Sequence, residues 1–166
     1  MKKYLLLLII LGSSISASTL RNNTFENPDL LSMGVGIFNI TKDPTHVLME
    51  LEYKTTFSHF KKARGIFGGF ITEQYSSYLY IGVGYDLFFM KHFVFTPSFC
   101  PGIYFQGKGK DLYFPLEYRS CAELCYILPN RHRIGAEFYH ISNASIGRKN
   151  PGVEALVFTY SIALSK

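Results

Sequence analysis

The chain has no tryptophan, three cysteines and few charges, with Asp, Glu, Lys and Arg making up 17% of its 166 residues. The odd cysteine count rules out full internal pairing. Cys121 and Cys125 fall four apart in one extended run, so their Cα atoms stand about 13 Å apart, beyond the reach of a disulfide. Cys100 could pair with either from a neighbouring run, or all three could stay as buried thiols. Zinc-ligand spacing is absent. So are a Gly-x-Ser-x-Gly elbow, a His-Glu-x-x-His helix and a phosphate-binding loop. Beyond residue 20, no apolar run approaches the roughly 20 residues that a membrane-spanning helix needs. There is no nucleic-acid motif, and the net charge of +5 is mild. It falls to +3 (5 − 2) if Lys2 and Lys3 are removed with a leader, a balance that suits an anionic lipid surface better than nucleic acid.

Aromatics and glycine are abundant: 12 Tyr, 15 Phe and 14 Gly, spread through short alternating runs of the kind β-barrels use. Residues 1–20 have the form of a secretory signal. Lys2 and Lys3 precede an apolar stretch over 4–11, and small residues follow, with cleavage expected near 16–18. The chain then divides into a signal peptide, 1–18, and a single domain, 19–166. Eight runs have strand character, over 31–40, 47–56, 65–73, 78–89, 93–105, 112–128, 133–142 and 154–164. Turn chemistry separates them. Residues 19–30 show no clear pattern.

Period-two alternation defines two faces. In the last run Leu156, Phe158, Tyr160, Ile162 and Leu164 alternate with small or polar residues. Elsewhere the second face is charged: Glu50, Glu52 and Lys54 in one run, Glu117, Arg119 and Glu123 in another. Apolar groups against lipid and charges inside is the pattern of a membrane barrel. The fold class expected is therefore all-β, an eight-stranded antiparallel transmembrane β-barrel of the bacterial outer membrane. At eight strands the interior is just filled by side chains, so the lumen charges should pair with one another rather than line a pore. With both termini in the periplasm, the turns at 90–92 and 129–131 face inward. The segments around Lys42, Lys108, Lys110, Arg148 and Lys149 face outward.

The seventh run ends in Phe138-Tyr-His-Ile-Ser-Asn143. Ile134, Ala136, Phe138, His140 and Ser142 share one face, and its apolar members mark it as the lipid side. His140 and Ser142 stand about 6.6 Å apart along the strand, within reach of an imidazole if the strand end bends. Glu154 opens the eighth run on the same parity as Leu156 and Phe158. The two runs should pair antiparallel, which brings opposed residues to about 5 Å. A serine, a histidine to take its proton and a carboxylate to fix the imidazole form a nucleophile–base–orienter set. Rim residues of a small barrel could show the same spacing. Three polar groups on a lipid-facing parity, where they are costly, favour the functional reading.

The stretch His140-Ile-Ser-Asn-Ala-Ser-Ile-Gly-Arg-Lys-Asn-Pro-Gly-Val-Glu154 resembles the signature of the PagL family of lipid A 3-O-deacylases: His-x-Ser-Asn-Ala, an Asn/Pro/Gly loop, then Glu. The resemblance implies Ser142 as nucleophile, His140 as general base and Glu154 as the group that orients His140. Asn143 and nearby backbone amides would form the oxyanion hole. The family has Gly two residues after the Asn, where this chain has Ser145. The implied substrate is lipid A of lipopolysaccharide, hydrolysed at its ester-linked 3-position hydroxyacyl chain in the outer leaflet, with no metal or organic cofactor. Arg148, Lys149, Lys108 and Lys110 are candidates to contact its phosphates, or they form a solvated loop face. A homodimer is compatible with the pattern. The rival readings are a structural or adhesive barrel without catalysis and a soluble lipid-binding barrel. The latter requires an apolar lumen.

Overall fold

The computed structural model describes residues 27–164. The signal sequence expected over 1–18 lies outside the described residues, as do 19–26. Nine β segments run in chain order: β1 Asp29–Phe38, β2 His46–Thr56, β3 Ala63–Thr72, β4 Ser77–Tyr85, β5 Leu87–Phe89, β6 Phe93–Phe105, β7 Leu116–Ile127, β8 Arg133–Ser142 and β9 Val153–Leu164. No helix occurs among the described residues.

Every neighbouring pair is antiparallel, and β1 also pairs with β9 while β4 pairs with β6. β4 and β5 continue one register along β6, as the pairs Gly84↔Ser98 and Leu87↔Phe95 show. They are two parts of a single stave, so the barrel has eight staves and is closed. Closure leaves no full-length strand edge open among the described residues, which is what hydrocarbon demands of a spanning sheet; the short β5 pairs on one side, with β6. The turns at one end are 57–62, 90–92 and 128–132. The other end carries 39–45, 73–76 and the longer connections 106–115 and 143–152.

Most bounds lie within two residues of those expected, with β1 opening at Asp29 inside the stretch that showed no clear pattern; two runs differ further. The run expected over 78–89 breaks at Asp86, which is fully buried. Its carboxylate accepts from Arg64 Nε at 3.0 Å, Arg133 at 2.9 Å, Thr96 Oγ1 at 2.9 Å and Asn27 Nδ2 at 3.0 Å. Four donors gather on this one carboxylate, which lies on the inward parity, and the alternation continues unbroken through it. The run expected from 112 begins at 116 instead. Asp111 Oδ1 accepts from Tyr113 N at 2.7 Å, Tyr113 is left-handed at φ 65, and Pro115 has no N–H to pair. Leu112 turns into the barrel mouth, where it is buried beside Phe38, Tyr104 and Ile141.

The lumen is solid. At the long-loop end it is filled by Phe38, Phe70, Tyr78, Tyr104, Leu112 and Ile141. The middle holds the expected charges Glu50, Glu52, Lys54, Glu117, Arg119 and Glu123, all buried, together with Glu137. Lys54 Nζ meets Glu52, Glu123 and Glu137 at 2.8, 2.9 and 3.0 Å. Arg119 pairs with Glu137, Glu52 and Glu50 and lies over the rings of Tyr139, at 4.2 Å, and Tyr80, at 4.8 Å. Two cations thus stand among five carboxylates and between them contact four, Glu50, Glu52, Glu123 and Glu137; the apolar lumen that a soluble lipid carrier needs is absent among the described residues. Outside, Met33, Val35, Met49, Leu51, Phe67, Leu79, Ile81, Phe138 and Phe158 are exposed. So wide an apolar surface belongs against lipid.

Removing one member of a buried ion network leaves its partners desolvated and uncompensated. Arg119→Met is therefore expected to destabilise the barrel by about 3–5 kcal/mol, read as a shift in the urea midpoint of the folded protein in detergent.

Candidate active site

β8 and β9 pair with His140 directly opposite Glu154. Both project from the outer wall, on the parity of Phe138, Leu156 and Phe158, at the long-loop end. Their side chains are 46% and 25% exposed, and His140 Nδ1 meets Glu154 Oε1 at 2.9 Å. A carboxylate on Nδ1 leaves Nε2 as the free ring nitrogen, the tautomer a general base needs. The register alone explains the contact, because opposed side chains on paired strands are first neighbours.

Ser142 is the last residue of β8, on the same outer face as His140 and opposite Tyr118 of β7. No hydrogen bond joins its hydroxyl to His140 among the described residues. Serine and imidazole are neighbours along one strand face, and such contacts often tighten only when substrate is bound.

Of three residues that the sequence reading did not single out, two touch this pair and the third braces Asn143 beside it. Thr41, in the β1–β2 connection, hydrogen-bonds to Glu154 through Oγ1 and Oε2, so the carboxylate is engaged on both oxygens. Gly152 lies against the imidazole. A Cβ there would stand 2.7 Å from His140 Cε1, and the residue is left-handed at φ 58. Asn150 Oδ1 accepts from Asn143 N at 3.1 Å. Pro151-Gly152 is legible in sequence as a turn, but its closeness to His140 is not. Nothing in the sequence connects Thr41 to a residue 113 positions away.

Asn143 is fully buried, and its side chain organises the β8–β9 loop. Nδ2 donates to Leu112 O at 3.2 Å and to Lys149 O at 2.9 Å, while Oδ1 accepts from Ser145 N at 3.0 Å. Both amide hydrogens are thus directed to carbonyls. Ala144 and Ser145 are left-handed, at φ 51 and φ 64. Ser145, which stands where the resemblance has Gly, keeps the conformation that Gly adopts most readily. Ala144 N–H has no acceptor among the described residues.

The four basic candidates separate into two groups. Lys108 and Lys110 line a rim cavity of about 440 Å³ with Lys42, Asn39, Asp43, His46 and Gln74. Lys110 Nζ donates to Asn39 Oδ1 at 2.8 Å. Burial, and then the neighbouring Lys42 ammonium, lower its proton affinity below that of an ordinary lysine, while Glu154 acts the other way. Lys149 Nζ sits 4.6 Å over the Tyr113 ring, and Arg148 is exposed in the same loop. Cys100, Cys121 and Cys125 are free buried thiols. The oxygens of Glu50, Glu52 and Glu137 lie within 4.8 Å of one another, as metal ligands would. The Arg119 guanidinium contacts all three and fills that role.

A family model described as lipid A 3-O-deacylase (PagL) matches residues 45–163. The crystal structure of the outer membrane enzyme PagL superposes with a TM-score of 0.64 at 17% identity, covering 81% of this chain and 99% of that one. A structure from the de novo design of transmembrane β-barrels superposes at 0.54 with 11% identity, covering 83% and 96%. At such identities the structural likeness speaks for the fold. No curated protein matches the chain in sequence.

Two substitutions test the loop. Gly152→Ala should push the imidazole off Glu154 and cut hydrolytic activity roughly tenfold or more, with the barrel still showing its folded mobility on unheated gels. Ser145→Gly should relieve the left-handed backbone and raise stability by up to about 1 kcal/mol, read from the thermal midpoint.

Proposed function

The chain belongs to the PagL family of lipid A 3-O-deacylases, and from that premise we propose that Ser142, His140 and Glu154 carry out the deacylation as a serine-esterase triad on the lipid-facing wall. The observation that supports this reading is the 2.9 Å contact between His140 Nδ1 and Glu154 Oε1 on a surface otherwise given to hydrocarbon. An exposed ion pair has little reason to stand there for stability, since polar groups beside lipid are costly.

In the proposed reaction Glu154 holds the Nδ1–H tautomer and stabilises the imidazolium. Nε2 takes the proton of Ser142 as Oγ attacks the carbonyl carbon of the 3-position ester. The tetrahedral oxyanion needs donors aimed at it. Asn143 serves by fixing the loop that presents the free Ala144 N–H, rather than through its own amide hydrogens. Collapse of the intermediate breaks the ester C–O bond, and His140 returns the proton to the departing 3-oxygen of the sugar. Water, activated by the same imidazole, then cleaves the acyl-enzyme and releases a 3-hydroxy fatty acid. All transfers run through side chains.

The placement proposed is the outer leaflet, with the long-loop end outward. Lys108 and Lys110, joined by Lys42, stand where the phosphorylated sugar of a membrane-embedded lipid A would lie. Arg148 and Lys149 flank the other side of the loop. The exported precursor, with a leader over 1–18 and one barrel domain over 19–166, belongs to the same proposal.

Mass spectrometry of lipid A from cells carrying the wild type or Ser142→Ala, at matched outer-membrane levels, tests the reading. Loss of one hydroxyacyl mass in the wild type alone is the expected result. Unchanged lipid A in both, with the protein properly inserted, would favour the non-catalytic barrel.

A further inference from the structure

We propose that Thr41 is a positioning residue of the catalytic site, holding Glu154 from the opposite side to His140 and so extending the set to four residues from two strands and the β1–β2 connection. This inference rests on the triad reading above and extends it to the β1–β2 connection. Glu154 Oε1 faces His140 and Oε2 faces Thr41 Oγ1. The carboxylate is therefore held in one plane by donors on both oxygens, and its rotation about the last side-chain bond, otherwise broad, is stopped.

The connection is built to deliver that hydroxyl. Asn39 is buried and left-handed at φ 63. Its Nδ2 donates to Lys42 O at 2.8 Å and to Pro44 O at 3.0 Å, closing the turn around Thr41. Its Oδ1 accepts from Lys110 Nζ at 2.8 Å, which ties the turn to the β6–β7 connection. Ile40 N donates to Glu154 O at 3.1 Å. The backbone of Glu154 is thus bonded to the residue before Thr41, and its side chain to Thr41 itself. Pinned at both places, Thr41 and Glu154 have a fixed relative position before any substrate arrives.

An exposed carboxylate bonded to a histidine on one oxygen alone would sample orientations in which Nδ1–H faces water. The Thr41 hydroxyl removes that freedom. It touches neither the ester nor His140, so its effect falls on how often the imidazole is correctly held and not on how lipid A is bound. Loss of the hydroxyl accordingly lowers kcat and leaves KM unchanged.

The test compares wild type, Thr41→Val and Thr41→Ser as full-length protein folded in detergent, with purified lipid A as substrate and Ser142→Ala as the blank. Valine keeps the shape and removes the donor; serine restores the donor. Thr41→Val is expected to lower kcat roughly tenfold, the worth of one hydrogen bond to a charged group, with KM unchanged and with Thr41→Ser near wild type. A second readout does not depend on turnover. The His140 Nδ1 proton should give a slowly exchanging downfield NMR signal in wild type and Thr41→Ser, and should exchange away in Thr41→Val. If wild type fails to deacylate lipid A but the signal still depends on Thr41, the triad reading fails and the positioning of His140–Glu154 stands. If Thr41→Val keeps both kcat and the signal, or if serine fails to rescue it, Thr41 has no such role.

Discussion

A strand in a closed membrane barrel has two sides, and each side chain must choose between a packed lumen and lipid. Everything else in this structure depends on that alternation. Charges that alternate with apolar residues along β2, β7 and β8 are forced inward together, and there Lys54 and Arg119 each draw three carboxylates around them. At the turn end, Asp86 reverses the arrangement, gathering Arg64 and Arg133 on one carboxylate.

Against that rule His140 and Glu154 are exceptions. They lie on the outer parity, so the barrel spends lipid-facing surface on a polar pair. What makes the arrangement tolerable is its place at the rim, where the β1–β2 and β8–β9 connections supply hydrogen-bond partners. Thr41, Asn143, Asn150 and Gly152 all come from these connections or the strand end beside them. The sheet sets the spacing of imidazole and carboxylate, and the loops set their orientation. This division lets the loops change without disturbing the barrel, since the charged lumen network lies below them.

Parity made much of this readable before any coordinates. A period of two is a local property, visible within a few residues, so the eight staves, the lumen charges and the shared face of His140, Ser142 and Glu154 could be read directly. The misreadings came where distant residues decide the outcome. At Asp86 strand pairing lapses for one residue, yet register and alternation carry on through it, so the run over 78–89 remains one stave. Leu112 leaves its strand because an Asp111 turn and Pro115 outweigh an alternation that continues on paper. Thr41 was visible only as part of a turn, and Gly152 only as a glycine after proline. Their closeness to Glu154 and His140 follows from barrel closure, which places β1 beside β9 across almost the whole length of the chain. The Asn143 side-chain amide donates to the carbonyls of Leu112 and Lys149, partners that the local sequence does not reveal.

The outward parity of His140 and Glu154 has one further consequence for the proposed reaction. On that reading a lipid reaches His140, beside Phe138 and Leu156 on the outer wall, by travelling within the leaflet, and it departs the same way. Encounter is then governed by how many substrate lipids occupy each unit of membrane area, and by how fast they drift sideways, rather than by molarity in the surrounding water. Diluting a suspension of such membranes would leave turnover untouched, whereas diluting the substrate with inert lipid would slow it. On the proposed reading, the outward parity of His140 and Glu154 thus turns a three-dimensional search into a planar one.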